Sequence, residues 1–172
     1  MVALMVTVAV AGCRKKDTVS DPAAAANKVA IRSIQLFYGS PNQLLASEPR
    51  NVSLPESPAA AIPLVMRELV KGPVGQGSLR ILPEDTVVRG AWLLPGGTVI
   101  VDLGGPTLSS GWGTGSHQEL LAIQSLVQTA TTNFADAQRV RILVNGTQTE
   151  TLGGHVALSR SFAPRSDSVG TR

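Results

Sequence analysis

Strand-like and helix-like hydrophobic patterns follow one another along this chain. The segment Val29–Tyr38 is rich in β-branched, aromatic and leucine side chains and predicts a strand, which the turn-forming run 39–42 ends. A short second strand is predicted at Asn51–Leu54. Further on, Thr86–Leu94 and Thr98–Leu103 flank a Pro-Gly-Gly turn and predict a hairpin.

Between these strands, one segment carries helical spacing. The helix is predicted to begin at Pro58 with Ser57 as its N-cap, because proline is tolerated in the first turn and serine accepts from free N–H groups there. Pro63 is expected to fray the start. Lys-Gly-Pro at 71–73 predicts the end of the helix. The apolar stripe consists of Ile62, Val65, Met66 and Leu69.

A second helix is predicted after the glycine- and serine-rich loop 104–115. Ser116 and Glu119 have the spacing of a capping box, in which each side chain satisfies a free backbone N–H of the other. The residues predicted to share its apolar face are Leu120, Ile123, Val127, Ala130 and Phe134.

The Asn-Gly pair at 145–146 is a strong hairpin signal, and it predicts strands at Val140–Val144 and Gln148–Leu152. Val156–Leu158 is predicted as a last edge strand. Strands joined by tight turns are antiparallel, and two one-faced helices need an apolar sheet to cover. The sequence therefore predicts an α+β fold in β-β-α-β-β-α-β-β order. Its antiparallel or mixed sheet would have about five strands, with two helices on one face.

The start of the chain predicts export and lipid attachment. Residues 1–12 are almost wholly apolar, and Val-Ala-Gly-Cys at 10–13 has the form of a bacterial lipobox. The run is shorter than the ~20 residues that span a bilayer as a helix. It is typical of a signal peptide, although no lysine or arginine precedes it. Cys13 is therefore the predicted lipidation site.

The rest of the chain divides by composition. Residues 13–28 are polar and then alanine-rich, which predicts a flexible tether. Residues 29–164 are predicted to form one folded domain, and 165–172 a disordered tail.

Composition also excludes some functions. With a single cysteine in 172 residues, the chain cannot form an intrachain disulfide or a cysteine-based metal site. The net charge is +3, and three basic residues directly follow Cys13, where they would meet anionic lipid headgroups. The remainder is nearly neutral and the whole chain has six aromatic residues, so no nucleic acid partner is expected.

Two functional arrangements are present only in outline. Val99–Leu103 with the glycines of Gly111–Gly115 imitates a phosphate-binding strand and loop, but it lacks the known spacings, and hairpins are predicted around it. Asp102, Ser116 and His117 supply the residue types of a hydrolase triad. However, Ser116 is better explained as a cap, and Asp102 is predicted to end a strand and start a turn. No nucleophile elbow is present.

Two residues are candidate binding residues. His155 follows two glycines, and its imidazole is expected to cap a backbone group, with ligand contact as the less favoured alternative. With two histidines and no cysteine partner, a zinc site is not expected. Trp112 lies in a glycine-rich loop, where its indole is either a contact for a partner or glycan or a lid over the core.

The block Arg139–Arg160, which contains Asn-Gly-Thr-Gln-Thr-Glu and Gly-Gly-His, resembles the end of a germane (GerMN) domain. Other parts of the family pattern are similar and occur in the same order. They are the first helix with its Leu-x-Lys-Gly-Pro end (63–73), a turn (82–86), a strand (98–103) and a second helix with Glu119 and Thr129 (115–132). The resemblance covers roughly residues 29–164.

What the resemblance implies is an envelope protein. Family members look like envelope proteins, alone or joined to modules such as cell-wall amidases, and lipoprotein signals are common among them. The founding sporulation and germination protein carries two copies and supports assembly of an envelope complex, whereas single-copy members occur in bacteria that make no spores. The fold is similar to small α/β ring-building modules. The family has no established catalytic residues.

We therefore expect a lipid-anchored, extracytoplasmic module of the cell membrane that binds or assembles and is not an enzyme. The expected partners are the membrane, through the lipid, and envelope proteins or peptidoglycan. Self-association is a further expectation, and no cofactor is expected. The alternative is a peptidoglycan-binding regulator of a cell-wall hydrolase, or such a hydrolase itself.

Overall fold

The computed structural model describes residues 28–170. The lipobox with Cys13, the signal peptide and nearly all of the predicted tether lie outside this range. In chain order the elements are β1 (Val29–Gly39), β2 (Leu45–Pro55), α1 (Pro58–Val70), β3 (Val87–Leu94), β4 (Thr98–Gly104), α2 (Pro106–Ser110), α3 (Ser116–Asn133), β5 (Arg139–Val144) and a 3₁₀ turn (Ser166–Ser168).

The strands are divided between two sheets, and the predicted α+β class is confirmed. β1 and β2 form an antiparallel pair, while β4 lies between β3 and β5, antiparallel to β3 and parallel to β5. β2 is longer than predicted and continues through Pro49, which pairs with Gln35 of β1. Because β2 is an edge strand, the missing N–H of the proline is tolerated there. The predicted 104–115 loop contains the short helix α2.

The second predicted hairpin is wrong beyond its turn. Asn145 and Gly146 do form the turn, with φ of 53° and 77°, but residues 148–152 and 156–158 form no strand. Backbone N–H groups of the turn and of the chain after it donate to carboxylates instead. Asp102 accepts from residue 146, and Glu119 accepts from residues between 152 and 156. β5 pairs instead with β4, and the two strands are parallel. A parallel pair requires a crossover connection, which here contains a helix.

The core lies between the sheets and the two long helices. α1 packs against β3, and α3 packs against β1, β5 and α1, so both helices contribute to one core, which two sheets line in place of the single predicted sheet. Ten consecutive residues of α3, from Leu121 to Ala130, are buried, so this helix is covered on nearly all sides. Side chains with no exposed surface include Leu36, Ile62, Val65, Met66, Val101, Leu103, Ile123, Leu126 and Ile142.

A row of polar side chains on α3 forms hydrogen bonds with backbone groups of β1 at the edge that does not face β2. Ser125, Thr129 and Asn133 are spaced four residues apart and therefore lie in one row. The Ser125 hydroxyl donates to the Phe37 carbonyl (2.6 Å), and the Phe37 N–H donates to Thr129 (3.2 Å). Asn133 both accepts from the Gln35 N–H (2.9 Å) and donates to its carbonyl (2.7 Å). These side chains satisfy an edge whose backbone groups would otherwise be buried unpaired.

Another pair of α3 side chains fixes the end of the described chain. Gln124 accepts from the Arg165 N–H (3.2 Å), and Gln128 donates to the Arg165 carbonyl (2.9 Å). Further along, Val169 forms a bridge with Leu45. Residues 165–170 are thus held against the domain, which corrects the predicted disordered tail. The side-chain amides that hold this segment belong to Gln124 and Gln128 of α3. The hydrophobic pattern of a helix normally places its polar residues in solvent, so it does not predict these contacts.

The ends of α1 agree with the sequence pattern in position. Ser57 precedes the helix, but within the described part of the chain its hydroxyl makes no cap hydrogen bond, and its carbonyl accepts from Ala61 (3.0 Å). The helix continues through Pro63, without the predicted fraying. At the other end Gly72 adopts φ of 95°, as expected for the residue that stops a helix.

Distant side chains complete this C-terminus. The Arg50 guanidinium donates to the Glu68 carbonyl (3.2 Å) and the Gly72 carbonyl (3.0 Å). The Tyr38 hydroxyl donates to the same Gly72 carbonyl (3.0 Å). Arg50 also pairs with the buried Glu48 carboxylate at 2.8 Å. Cations at a helix C-terminus are favoured by the helix dipole.

This cluster predicts a stability optimum between two pH limits. Burial alone would raise the pKa of Glu48, but hydrogen bonds from Arg50 and Gly75 outweigh it and hold the pKa below its ordinary 4.5. Burial raises the pKa of Tyr38 from 10.0 to about 12. Because folding lowers the pKa of Glu48, its ionised carboxylate stabilises the fold above pH 4.5. This stabilisation is lost as the pH falls through the pKa that Glu48 has in the folded protein. A raised phenol pKa stabilises below pH 10 and is lost towards pH 12.

Urea unfolding across the pH range measures both limits. The acid loss is expected to shrink in Glu48→Gln and the alkaline loss in Tyr38→Phe. Curves that keep their wild-type shape in both variants would contradict this assignment.

Candidate binding surfaces

A buried carboxylate of α3 holds the loop 152–156 against the start of that helix. Glu119 lies in the first turn of α3 and has no exposed surface. One of its oxygens accepts from the N–H groups of Leu152 (2.9 Å) and Gly153 (2.8 Å). The other accepts from His155 (2.8 Å) and Val156 (3.1 Å).

The predicted capping box therefore does not form. The assigned N-cap of α3 is Gly115, which makes no side-chain cap, and Glu119 points its carboxylate at the 152–156 loop rather than at the N–H of Ser116. Four N–H donors on a neighbouring segment outcompete one donor at the helix start. The sequence spacing alone does not distinguish these two uses of a glutamate.

The loop that leads into α3, residues 111–115, also touches the 152–156 loop directly. The His155 imidazole Nε2 lies 2.8 Å from the Thr114 carbonyl oxygen, so the residue caps a backbone group as the sequence favours. A Cβ on Gly153 would lie 2.5 Å from the Thr114 methyl carbon and 3.0 Å from the Trp112 carbonyl oxygen. Only glycine allows this approach.

Trp112 is half-buried and packs against the main core. It also borders an open cleft of about 520 Å³ between α2 with the glycines that follow it and the segment 151–154. The indole thus covers the core and leaves part of its surface at the cleft. Trp112 and His155 therefore lie on adjoining loops at one end of the domain.

This packing predicts a contrast between two glycines. Gly153→Ala is expected to lower the unfolding free energy by about 1–3 kcal/mol, because the new methyl group clashes with residues 112 and 114. Gly113→Ala is the matched control, since no atom of residues 28–170 lies within 4 Å of its added Cβ. Thermal unfolding of both variants measures the difference. Equal melting temperatures would show that the two loops are not packed together as described.

The residues of the outlined triad serve the fold separately. Asp102 is buried within β4, which continues to Gly104, so the prediction that it ends the strand is wrong. Its carboxylate accepts from the Gly146 N–H (2.7 Å) and from Arg89 Nε (3.2 Å). His117 Nε2 lies 2.8 Å from the Gln43 carbonyl oxygen. These contacts leave Asp102 and His117 engaged with different parts of the backbone.

The hairpin of β3 and β4 before the glycine-rich loop forms as predicted, but the loop also belongs to a parallel β-α-β unit, which was not predicted. β4, α3 and β5 form it. However, the Glu119 carboxylate occupies the first turn of α3, and its negative charge opposes a phosphate there. Within residues 28–170, no three His, Cys, Asp or Glu side chains are grouped to hold a metal ion. In the same range, no helix has the length and apolar character needed to cross a bilayer.

The family described as "Germane: Sporulation and spore germination" matches residues 35–150. Comparison with curated protein sequences gives no match.

Solved structures share the fold at low sequence identity. The chain is 20% identical to a candidate lipoprotein from Clostridium perfringens, with a TM-score of 0.55, covering 78% of this chain and 87% of that one. It is 19% identical to the tandem GerMN domains of the sporulation protein GerM from Bacillus subtilis, with a TM-score of 0.56, covering 78% of this chain and 46% of that one. The first of those domains alone is 20% identical, with a TM-score of 0.50 and 80% and 96% covered. Because the family match spans more than half of its length, the chain belongs to the germane (GerMN) family.

Proposed function

We propose that this protein is a lipid-anchored, extracytoplasmic module of the bacterial cell envelope that binds and assembles other envelope components without catalysis. The observation that carries the proposal is that the polar side chains near the candidate surfaces are hydrogen-bonded to the protein's own backbone. Asp102, Glu119 and His155 each bond to backbone groups of the domain itself. This arrangement builds a preorganised surface, which suits recognition.

Two further points support the envelope location. The lipobox at 10–13 predicts acylation of Cys13. The similar Clostridium perfringens structure is described as a candidate lipoprotein. The link to sporulation or germination comes from the family description and from GerM, and it stays a proposal for this chain.

Cell fractionation tests the anchor. The full-length protein is expected in the membrane fraction, and Cys13→Ala is expected to be released, because the variant lacks the thiol that carries the lipid. Cys13→Ala retained in membranes to the wild-type level would contradict the anchor.

A pull-down tests the binding role. Full-length protein recovered from detergent-solubilised membranes is expected to bring down an envelope protein or peptidoglycan fragments. Recovery of neither would contradict the proposal.

The second candidate function is peptidoglycan binding that regulates a cell-wall hydrolase, or hydrolysis by this protein itself. The cleft beside Trp112 favours it, because a partly exposed indole suits contact with a glycan. Incubation with purified peptidoglycan and divalent metals separates the candidates. New muropeptides that disappear in His155→Ala would establish hydrolysis in place of the non-catalytic role.

A further inference from the structure

The sheet formed by β3, β4 and β5 has a second face, turned away from the helices. Strand register places Trp92, Ile100 and Arg141 in one row across it. Side chains alternate between faces along a strand, so Leu94 and Arg139 lie in the next row on the same side. We call this the outer sheet face and define it by Trp92, Leu94, Ile100, Leu143, Arg139 and Arg141.

The apolar part of the outer sheet face is exposed. Trp92 keeps 51% of its surface accessible and Leu94 keeps 42%, whereas Val99 and Val101, which point to the opposite face, are fully buried. The missing side chain of Gly90 makes room for the indole, since a Cβ there would lie 2.3 Å from Trp92 Cη2. The aromatic ring therefore lies against a glycine of its own strand and leaves about half of the Trp92 surface exposed, at 51%.

The charge of the outer sheet face is positive. Arg139 is exposed and forms no ion pair with any residue of 28–170. Arg141 donates to the Ser159 carbonyl (3.2 Å), and its buried Nε has no partner among these residues. The acid at this side, Asp102, is buried and already bonded to Arg89 and the Gly146 N–H.

We propose that the outer sheet face docks an envelope protein whose contact surface has an apolar centre flanked by carboxylates; this rests on the proposed binding function. Tryptophan and arginine are the residues most enriched among those that dominate protein interfaces. A guanidinium binds a carboxylate through two parallel hydrogen bonds, so Arg139 and Arg141 select an acidic partner.

The same features disfavour two other occupants. A second copy meeting through this face would place arginines against arginines without acids to offset them. A lipid surface is favoured by side chains that extend into it, and the Trp92 indole lies along its own strand.

Photo-crosslinking of the full-length protein in cells of its own species tests this surface. A benzophenone amino acid replaces Leu94 on the face, or Thr132, an exposed position of α3, as the control. Position 94 is expected to crosslink a different protein at a segment rich in aspartate and glutamate, and position 132 is not. Arg139→Glu is expected to reduce the adduct about tenfold. Arg160→Glu, an exposed charge reversal outside the defined face, should leave it unchanged.

Several outcomes would overturn the proposal. They are crosslinks to a second copy, to lipid or to residues 14–27 of the same chain, equal adducts at both positions, and insensitivity to Arg139→Glu. Circular dichroism and melting curves confirm that the variants fold. If the wild-type pull-down still recovers a partner while position 94 gives no adduct with it, the docking surface is wrong and the binding function stands.

Discussion

Replacing Glu119 with glutamine is expected to lower the free energy of unfolding by about 2–6 kcal/mol, since each buried donor that loses its acceptor costs about 1–3 kcal/mol, and this is a large part of the stability of a domain this size. The carboxylate accepts from four N–H groups between Leu152 and Val156, and it is fully buried. A glutamine has one acceptor oxygen, and its NH₂ group would face N–H donors, so buried donors lose their partners.

Urea unfolding measures this loss, and Glu150→Gln is the matched control on an exposed acid. The control is expected to stay within about 0.5 kcal/mol of wild type. Hydrogen exchange should also show faster exchange at residues 152–156 in Glu119→Gln, because these amides lose their acceptor. Wild-type stability in Glu119→Gln would mean that the carboxylate does not hold the loop.

Arg50→Met is expected to cost about 3–5 kcal/mol as well. The substitution leaves Glu48 without its cation and removes the donor to the Glu68 and Gly72 carbonyls at the end of α1. Arg67→Met, on the exposed side of the same helix, is the control and is expected to have little effect.

A double-mutant cycle with Glu48→Gln separates the pair from the other contacts. The double variant is expected to be less destabilised than the sum of the single ones, because no uncompensated buried charge remains. Strict additivity would show that Glu48 and Arg50 do not interact as described.

Local patterns predict the regular elements of this fold well. Helix α1 begins at Pro58, after the predicted cap position Ser57, and ends at Lys-Gly-Pro because those residues determine helix ends over one turn of chain. The Pro-Gly-Gly hairpin forms for the same reason, and Leu94 pairs with Thr98 across it. Interactions between neighbouring residues are enough for these features.

The rest depends on contacts between residues distant in sequence. Glu119 meets the 152–156 loop, and Asn133 meets Gln35, about a hundred residues away. A polar residue on a helix is normally assigned to solvent, so a stripe such as Ser125, Thr129 and Asn133 carries a weak signal: small hydrogen-bonding side chains at steps of four within an apolar helix. The outer sheet face needs the register of three strands, which local patterns do not give.

Binding between the purified full-length protein and the partner recovered from membranes is the measurement that decides whether this protein acts without catalysis. We expect saturable binding, with the partner unchanged in mass after prolonged incubation. Conversion of the partner or of its attached peptidoglycan to smaller products, or the absence of saturable binding, would contradict the claim that this protein acts by binding alone.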